Sequence, residues 1–317
     1  MYEALANASR QTARFLSLGH IRVLVISEQF AREGIKDMLD VLERESDMRL
    51  TSLVFISKDQ PASEVLSTMT VFSKIPANDL VEKLNTTSKQ FGYNYKMEVD
   101  DVIRGIQVRG GGPVINGVFT TGDRERADSN DNLKTITPDT ILRISRLAVF
   151  KDDKLKGWVE GKTAFGTVLL LNKLKEFPVV IKKDNGYLAF NVYQSQVSVE
   201  AEAKDPEHPV IILKSPPQAA LKESPHSLDL TSPEVLEKLS GQLTQEARSQ
   251  IEGAGAAARK RESDYIGFGE AVARETPHGW KKIKDQWADS FAAWESKIDA
   301  DTVIQLTDRR GDSCQVY

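Results

Sequence analysis

"YIGFGEAVARETPHGWKKIKDQW", residues 265–287, carries two glycines one residue apart, then a proline and two tryptophans set among lysines. Two folds hang on how it is read. A phosphate-cradling loop opening a helix would make this region a nucleotide-binding α/β unit, whereas an amphipathic packing helix would make it the scaffold of an α+β domain. The dinucleotide fingerprint needs a third glycine three residues after the second, behind a buried strand, so that backbone can approach a pyrophosphate at a helix N-terminus. Val272 holds that place, and the preceding "GAAARKRESDY" is charged and Ala-rich, the end of a helix instead of a strand. The packing reading is therefore favoured. Thr276-Pro277 reads as an N-cap followed by the first helical residue, where proline's missing N–H costs little. Trp280, Ile283, Trp287 and Phe291, continued by Trp294, recur at three- and four-residue steps, with Lys281, Lys282, Lys284 and Asp285 on the other side. This spacing predicts one aromatic-striped helix laid across a sheet. An exposed partner-binding face is the alternative, since aromatics anchor both kinds of surface. Gly267 and Gly269 let the preceding segment bend or approach the aromatic layer closely.

Upstream of this stretch, Thr231 followed three residues later by Glu234 forms a capping box. Leu236, Leu239, Leu243, Ala247, Ile251 and Ala254 then recur at helical steps, predicting a long helix over about 232–261. Before it come the β-rich runs "YLAFNVYQSQVSVEAEA" and "PVIILKS". Earlier still, "RLAVF" and "LKGWVEG" flank "KDDK" as a hairpin, "TVLLLNKL" is a short buried helix or strand, and "FPVVIKK" is β-prone. Asn116-Gly117 predicts a tight hairpin because both positions tolerate positive φ. Gly110 to Gly112 read as a flexible connection and 121–138 as a turn-rich excursion or linker.

The amino end alternates helix and strand. Leu5, Ala6, Ser9, Ala13 and Leu16 share one helical face, while "IRVLVIS" and "RLTSLVFIS" have buried-strand character. Between these strands Phe30, Ile35, Met38, Leu39 and Leu42 form the stripe of one helix, with Glu28, Arg32, Lys36 and Glu43 facing water. A strand, helix, strand run of this length predicts a parallel pair with a right-handed crossover. If further strands upstream complete that sheet, this chain should expose an unpaired edge prone to self-association. "ANDLVEKLNTTSKQF" and "MEVDDVIRGI" read as helices. The expectation is an α+β fold of three mixed α/β domains. Residues 1–117 form an N-terminal α/β domain truncated at its start, and 118–185 a small middle domain with a β-hairpin. Residues 186–317 form a C-terminal α+β domain whose mostly antiparallel sheet packs against long helices.

Composition narrows the chemistry. With 317 residues, 40% hydrophobic and 28% charged, the chain is long enough for two or three folded domains. A net charge of −4 argues against a basic nucleic-acid-binding surface. No apolar run approaches the roughly 20 residues of a membrane-spanning helix. Cys314 is the single cysteine, so no intramolecular disulfide or cysteine-based zinc site can form, and "CQVY" is a poor prenylation box. His20, His208, His226 and His278 are scattered, and Gly-x-Ser-x-Gly is absent. Asp100-Asp101 and Asp152-Asp153 read as solvated pairs, since sequence neighbours point in different directions. No catalytic, cofactor-binding or metal-ligating residue is assigned.

The motifs themselves carry a resemblance. Asp264, Gly267, Phe268, Gly269, Glu270, Pro277, Trp280, Lys281, Lys282 and Trp287 fit in order the C-terminal pattern of the Ger(x)C family, the C subunits of nutrient germinant receptors in endospore-forming bacteria. Residues 5–58, with their Ser-Arg-Gln-Thr stretch and the Gly-His before the strand, resemble the family's N-terminal region. "KIPAND" and "LAVFKDDKLKGWVEG" are similar to segments between. The resemblance spans nearly the whole chain. It implies a three-domain, non-enzymatic protein without a cofactor, acting in receptor assembly and germination signalling. Its implied partners are the membrane-embedded A and B receptor subunits, and its implied place is the outer face of the inner spore membrane. Family members begin with a signal peptide ending at a lipid-carrying cysteine, followed by a short β-rich piece. This chain opens "MYEALANASRQTARFL" and is expected to be a trimmed or internal form lacking that anchor. Gly267, Gly269, Glu270, Pro277, Trp280 and Trp287 are expected to be structural. The alternative is an α/β enzyme or small-ligand-binding protein using an inter-domain cleft.

Overall fold

The computed structural model describes residues 17–45, 47–73, 75–134, 137–183, 186–193, 197–202, 210–214, 218–224, 232–287, 296–299 and 303–304, with positions 3, 7 and 291. The helix expected on Leu5 to Leu16 lies outside the described residues. Helices and strands are mixed throughout, in two compact units: Met1–Asn85 with Lys96–Val159, and Thr86–Tyr95 with Glu160–Tyr317.

In the first unit, a five-stranded sheet has the order β1-β2-β3-β4-β5. Its parallel strands are β1 (Val23–Ser27), β2 (Leu53–Ser57) and β3 (Val114–Thr121). The expected parallel pair is thus present. β4 (Ile141–Lys151) and β5 (Lys154–Val159) continue the sheet antiparallel. Every residue of β2 is buried, which is why its sequence, LVFIS, is apolar without alternation. Leu53, Phe55 and Val118 of the sheet pack with Val65 of α3 (Ala62–Ser67) and with Leu80 and Leu84 of α4 (Pro76–Gln90).

Several local expectations change here. The helix after β1 is two helices, α1 (Glu28–Glu33) and α2 (Lys36–Arg44), broken at Gly34 with φ of 134°. A Cβ on Gly34 would lie 2.6 Å from Asp153 Oδ2, and that carboxylate accepts the Lys36 N–H at 3.3 Å. Asp153 therefore anchors α2 and is not a merely solvated acid. The break leaves Phe30 42% exposed, while Ile35, Met38, Leu39 and Leu42 are buried as expected. Glu28, expected in water, accepts Trp158 Nε1–H at 3.0 Å and the Asp59 N–H at 3.3 Å. Of the other acid pair, Asp101 accepts the Glu98 N–H in the capping box that starts α5 (Val99–Gln107).

Asn116-Gly117 turns no hairpin. It lies inside β3 at a bulge facing β4, where a Cβ on Gly117 would stand 2.7 Å from the Ser145 carbonyl oxygen. Close backbone approach, not a turn, explains this glycine. Gly112 is likewise packed, its hypothetical Cβ 2.5 Å from the Phe150 carbonyl oxygen, instead of linking flexibly. The excursion between β3 and β4 is pinned by Asn132, whose side-chain amide makes two 3.0 Å bonds with the Thr140 backbone. The hairpin predicted across "KDDK" joins β4 and β5, with Asp152 at φ of 52°.

The second unit contains α6 (Gly161–Leu170), then β6 (Glu176–Lys183), β7 (Gly186–Tyr193), β8 (Ser198–Glu202), β9 (Val210–Lys214) and β10 (Gln218–Glu223). α7 (Pro233–Lys260), α8 (Phe268–Glu275), α9 (Pro277–Ile283), β11 (Ser296–Asp299) and β12 (Val303–Ile304) follow. One sheet runs β12-β10-β7-β6 and another β11-β9-β8; only the pairs involving β11 and β12 are parallel. "TVLLLNKL" begins in α6, whose residues 164–170 are all buried. A helix apolar on every side must be enclosed. α7 crosses it so closely that a Cβ on Gly166 would overlap the Gln250 carbonyl oxygen. The Tyr265 hydroxyl locks the crossing, contacting Thr167 Oγ1 at 3.1 Å and donating to the Ala254 carbonyl at 3.2 Å. Burial pushes its pKa up to about 12. Phe165 stacks on Phe177, and Tyr93 meets Phe177 edge-on with ring centres 5.2 Å apart. α7 has Ser232 as its N-cap; Thr231 of the expected capping box lies outside the described residues.

Candidate functional site

The glycine and tryptophan motif folds around Asp264, which is 1% exposed. Its Oδ1 accepts the N–H groups of Gly267 (3.1 Å) and Phe268 (2.9 Å), and its Oδ2 those of Gly269 (2.6 Å) and the Trp287 indole (2.9 Å). One carboxylate thereby satisfies the first backbone donors of α8, which a helix leaves unpaired, and fixes a tryptophan whose own helical turn lies elsewhere. Burial drives the Asp264 pKa upward, and the four donors pull it back only in part, leaving it at about 6.

The two glycines serve different ends. Gly267 sits at φ of 88° with little near its Cβ position, so it is there for the left-handed backbone that starts α8. Gly269 is there for space: a Cβ would lie 2.8 Å from both Trp280 Cη2 and Trp287 Nε1. Trp280 and Trp287 meet edge to face at 5.3 Å, and Phe291 closes on Trp287 and Phe268 at 5.9 Å each. Trp287 and Phe291 are each 1% exposed. Pro277 begins α9, as its missing N–H permits.

The single long helix expected from Pro277 to Trp294 is not formed. α9 stops at Ile283, a turn carries the chain to Trp287, and the aromatic rings pack on α8 and Asp264 instead of lying across a sheet. Trp294 lies outside the described residues. The three- and four-residue spacing survives because both the helix and the turn bring Trp280 and Trp287 back to Gly269.

Glu270 differs from its neighbours in the motif. It is exposed, and its side chain makes no hydrogen bond or ion pair among the described residues. With Gly267, Asn172, Val197, Glu200 and Arg274 it lines a cleft of about 680 Å³ beside β8. Asn172, held at φ of 55°, pairs both amide atoms with the Val197 backbone, at 2.8 and 2.7 Å, and Arg274 donates to the Val199 carbonyl at 2.9 Å. Side chains thus take the place of a neighbouring strand along part of β8. Asn172, Arg274 and the organising role of Asp264 were missed by sequence reasoning. Only Asp264 left a signal, a short acid three residues before a glycine, the spacing of a side chain that caps its own downstream backbone.

The arrangement orients backbone and indole donors around one buried carboxylate. Asp264 is closed to solvent with both oxygens engaged, and among the described residues no histidine, serine or cysteine side chain is hydrogen-bonded to it. Among the described residues no group of three His, Cys, Asp or Glu side chains is placed to hold a metal ion. No helix among them is long and apolar enough to cross a membrane.

Comparison with known proteins adds the rest. Two family profiles match: "Spore germination protein N-terminal domain" over residues 1–119, and "Spore germination B3/ GerAC like, C-terminal" over residues 145–307. The chain is 30% identical to Spore germination protein KC of Bacillus subtilis (strain 168), over 98% of this chain and 77% of that protein. It is 21% identical to Putative spore germination protein YfkR of the same organism, over 92% and 73% of the two chains. The crystal structure of the GerBC protein shares the fold, with a TM-score of 0.65 at 15% identity, covering 94% of this chain and 83% of that one.

Proposed function

The chain belongs to the Ger(x)C family of spore germination proteins, and from that premise we propose that it is the non-enzymatic C subunit of a nutrient germinant receptor. The observation that carries this reading is the ordered match of both family domains, with 30% identity to a germination protein over 98% of the chain. The role proposed is receptor assembly and signalling with the membrane-embedded A and B subunits. Its proposed place is the outer face of the inner spore membrane, held there by a lipid tether. In this account Gly267, Gly269, Pro277, Trp280 and Trp287 are scaffold that sets α8 against the aromatic layer.

The test is co-purification of the protein, expressed from its natural gene, with its candidate membrane subunits in mild detergent. Stable association is expected; its persistent absence would overturn the proposal. One observation favours a second reading, small-ligand binding. Glu270 belongs to the motif, yet it faces a cleft instead of a packing partner. A thermal-shift screen with metabolites separates the two readings, since a ligand specific to the folded chain raises Tm by mass action.

A further inference from the structure

Glu270 is the residue of the glycine and tryptophan motif that the scaffold leaves without a task. It stands at the third position of α8, after Phe268 and Gly269. A glutamate there has two usual partners. It reaches back to the N–H of the residue that starts the helix, and it pairs with a basic side chain four residues on, the favoured order for such ion pairs.

Both partners are engaged elsewhere. Asp264 Oδ1 takes the Gly267 N–H at 3.1 Å. Arg274, four residues after Glu270, donates to the Val199 carbonyl at 2.9 Å and, from Nε, to Glu275 Oε1 at 3.3 Å. The Glu270 carboxylate is left facing the cleft, with no donor to its oxygens among the described residues. The dipole of α8 favours its charge but supplies no hydrogen bond.

The cleft provides the rest of a binding site. At about 680 Å³ it falls within the roughly 300–1,000 Å³ of small-molecule sites. Val197, Ile266 and Ala271, all buried, give it an apolar wall, and Glu200 and Glu275 add to its negative charge. Arg274 is the one cation among the described lining residues, and Glu275 already pairs with it.

We propose that this cleft binds a small organic cation, a protonated amine on a short apolar body, with Glu270 as the carboxylate that receives it. A metal ion lacks the ligands it needs, since among the described residues no three His, Cys, Asp or Glu side chains converge. A concave site of this size suits a small molecule better than the flatter surface of a partner protein. Such binding presupposes that the cleft takes a small ligand at all, the second reading of the protein's function, and adds the ligand's class.

Amide NMR spectra of this chain at neutral pH, titrated with n-butylammonium chloride, carry the test, with n-butanol and sodium butyrate as neutral and anionic counterparts. n-Butylammonium is expected to give saturable shifts confined to the amides of Val199, Gly267, Ala271 and their neighbours. n-Butanol should bind about tenfold more weakly or less, because the charge-assisted hydrogen bond is lost. Glu270→Gln keeps the shape and removes the charge, so it should weaken n-butylammonium binding about tenfold while thermal melts show the fold intact. Glu200→Gln, in the same cleft, should change it far less. Absence of saturable shifts, shifts spread over the whole surface, or equal losses in the two variants overturn the proposal. If butyrate or butanol binds at those amides and n-butylammonium does not, the ligand-binding cleft stands and its cation falls; silence from all three removes both.

Discussion

At the scale of single residues, Asp264 does the most with the fewest atoms. Asn at this position has one acceptor oxygen where Asp has two, so its NH2 would face either the Gly269 and Trp287 donors or the Gly267 and Phe268 donors. At pH 7, where the ionised carboxylate accepts from all four donors, Asp264→Asn is expected to cost about 2–4 kcal/mol in urea denaturation, the range for buried donors left unpaired. The pKa near 6 in the folded chain lies above the unfolded value of 3.8, so folding takes up a proton between those values. Stability from this group is fully present below pH 3.8 and is lost as pH rises through about 6, so the gap between wild type and variant should narrow over that window. A gap that widens instead would mean that the ionised, four-times hydrogen-bonded carboxylate is the stabilising form. Gly269→Ala drives a methyl into two indoles and should cost about 1–3 kcal/mol, read in the same denaturation curves, with a red-shifted Trp emission as Trp287 becomes wetted. Gly267→Ala meets no such wall and suffers only backbone strain, so it should be the milder change.

Among elements, the α6–α7 crossing carries the sharpest prediction. Gly166 lets two backbones touch, and any side chain there must push α7 away from the buried face of α6. Gly166→Ala should destabilise by about 3 kcal/mol and loosen the Tyr265 hydroxyl from Ala254 and Thr167. Faster hydrogen exchange in residues 161–170 than at the β4–β5 hairpin would report it; uniform exchange across both would count against a local crossing. The same scale shows how far periodicity reaches. Of the stripe along α7, Leu239, Leu243, Ile251 and Ala254 are buried as the spacing predicts, while Leu236 and Ala247 are half-buried. The stripe from Phe30 is not continuous, because Gly34 breaks the helix to let Asp153 reach the start of α2. That contact joins residues more than a hundred positions apart, which no local window can see.

In the whole molecule, chain order and compact units do not coincide. Thr86–Tyr95 pack with residues that begin at Glu160, so the end of α4 belongs to the second unit and its start to the first. A fragment of residues 160–317 therefore lacks Tyr93 and Gly92, leaving Phe177 and Leu174 uncovered. It should bind a hydrophobic dye and melt below the intact chain, and Tyr93→Ala in the intact chain should reproduce part of the loss, about 3 kcal/mol. A fragment as stable as the parent would show that the 86–95 segment is dispensable. The sequence alone determined the mixed α and β content, the parallel pair, the β4–β5 hairpin, the long helix of α7 and the family, because each rests on short-range periodicity, turn chemistry or ordered motifs. Only the tertiary structure decided that Asn116-Gly117 is a bulge, that α9 ends at Ile283, that Asp264 ties Trp287 to α8, and that Phe72 stands in water. These outcomes depend on which atoms from distant parts of the chain compete for the same volume and the same hydrogen bonds, and that competition exists only once the chain has folded.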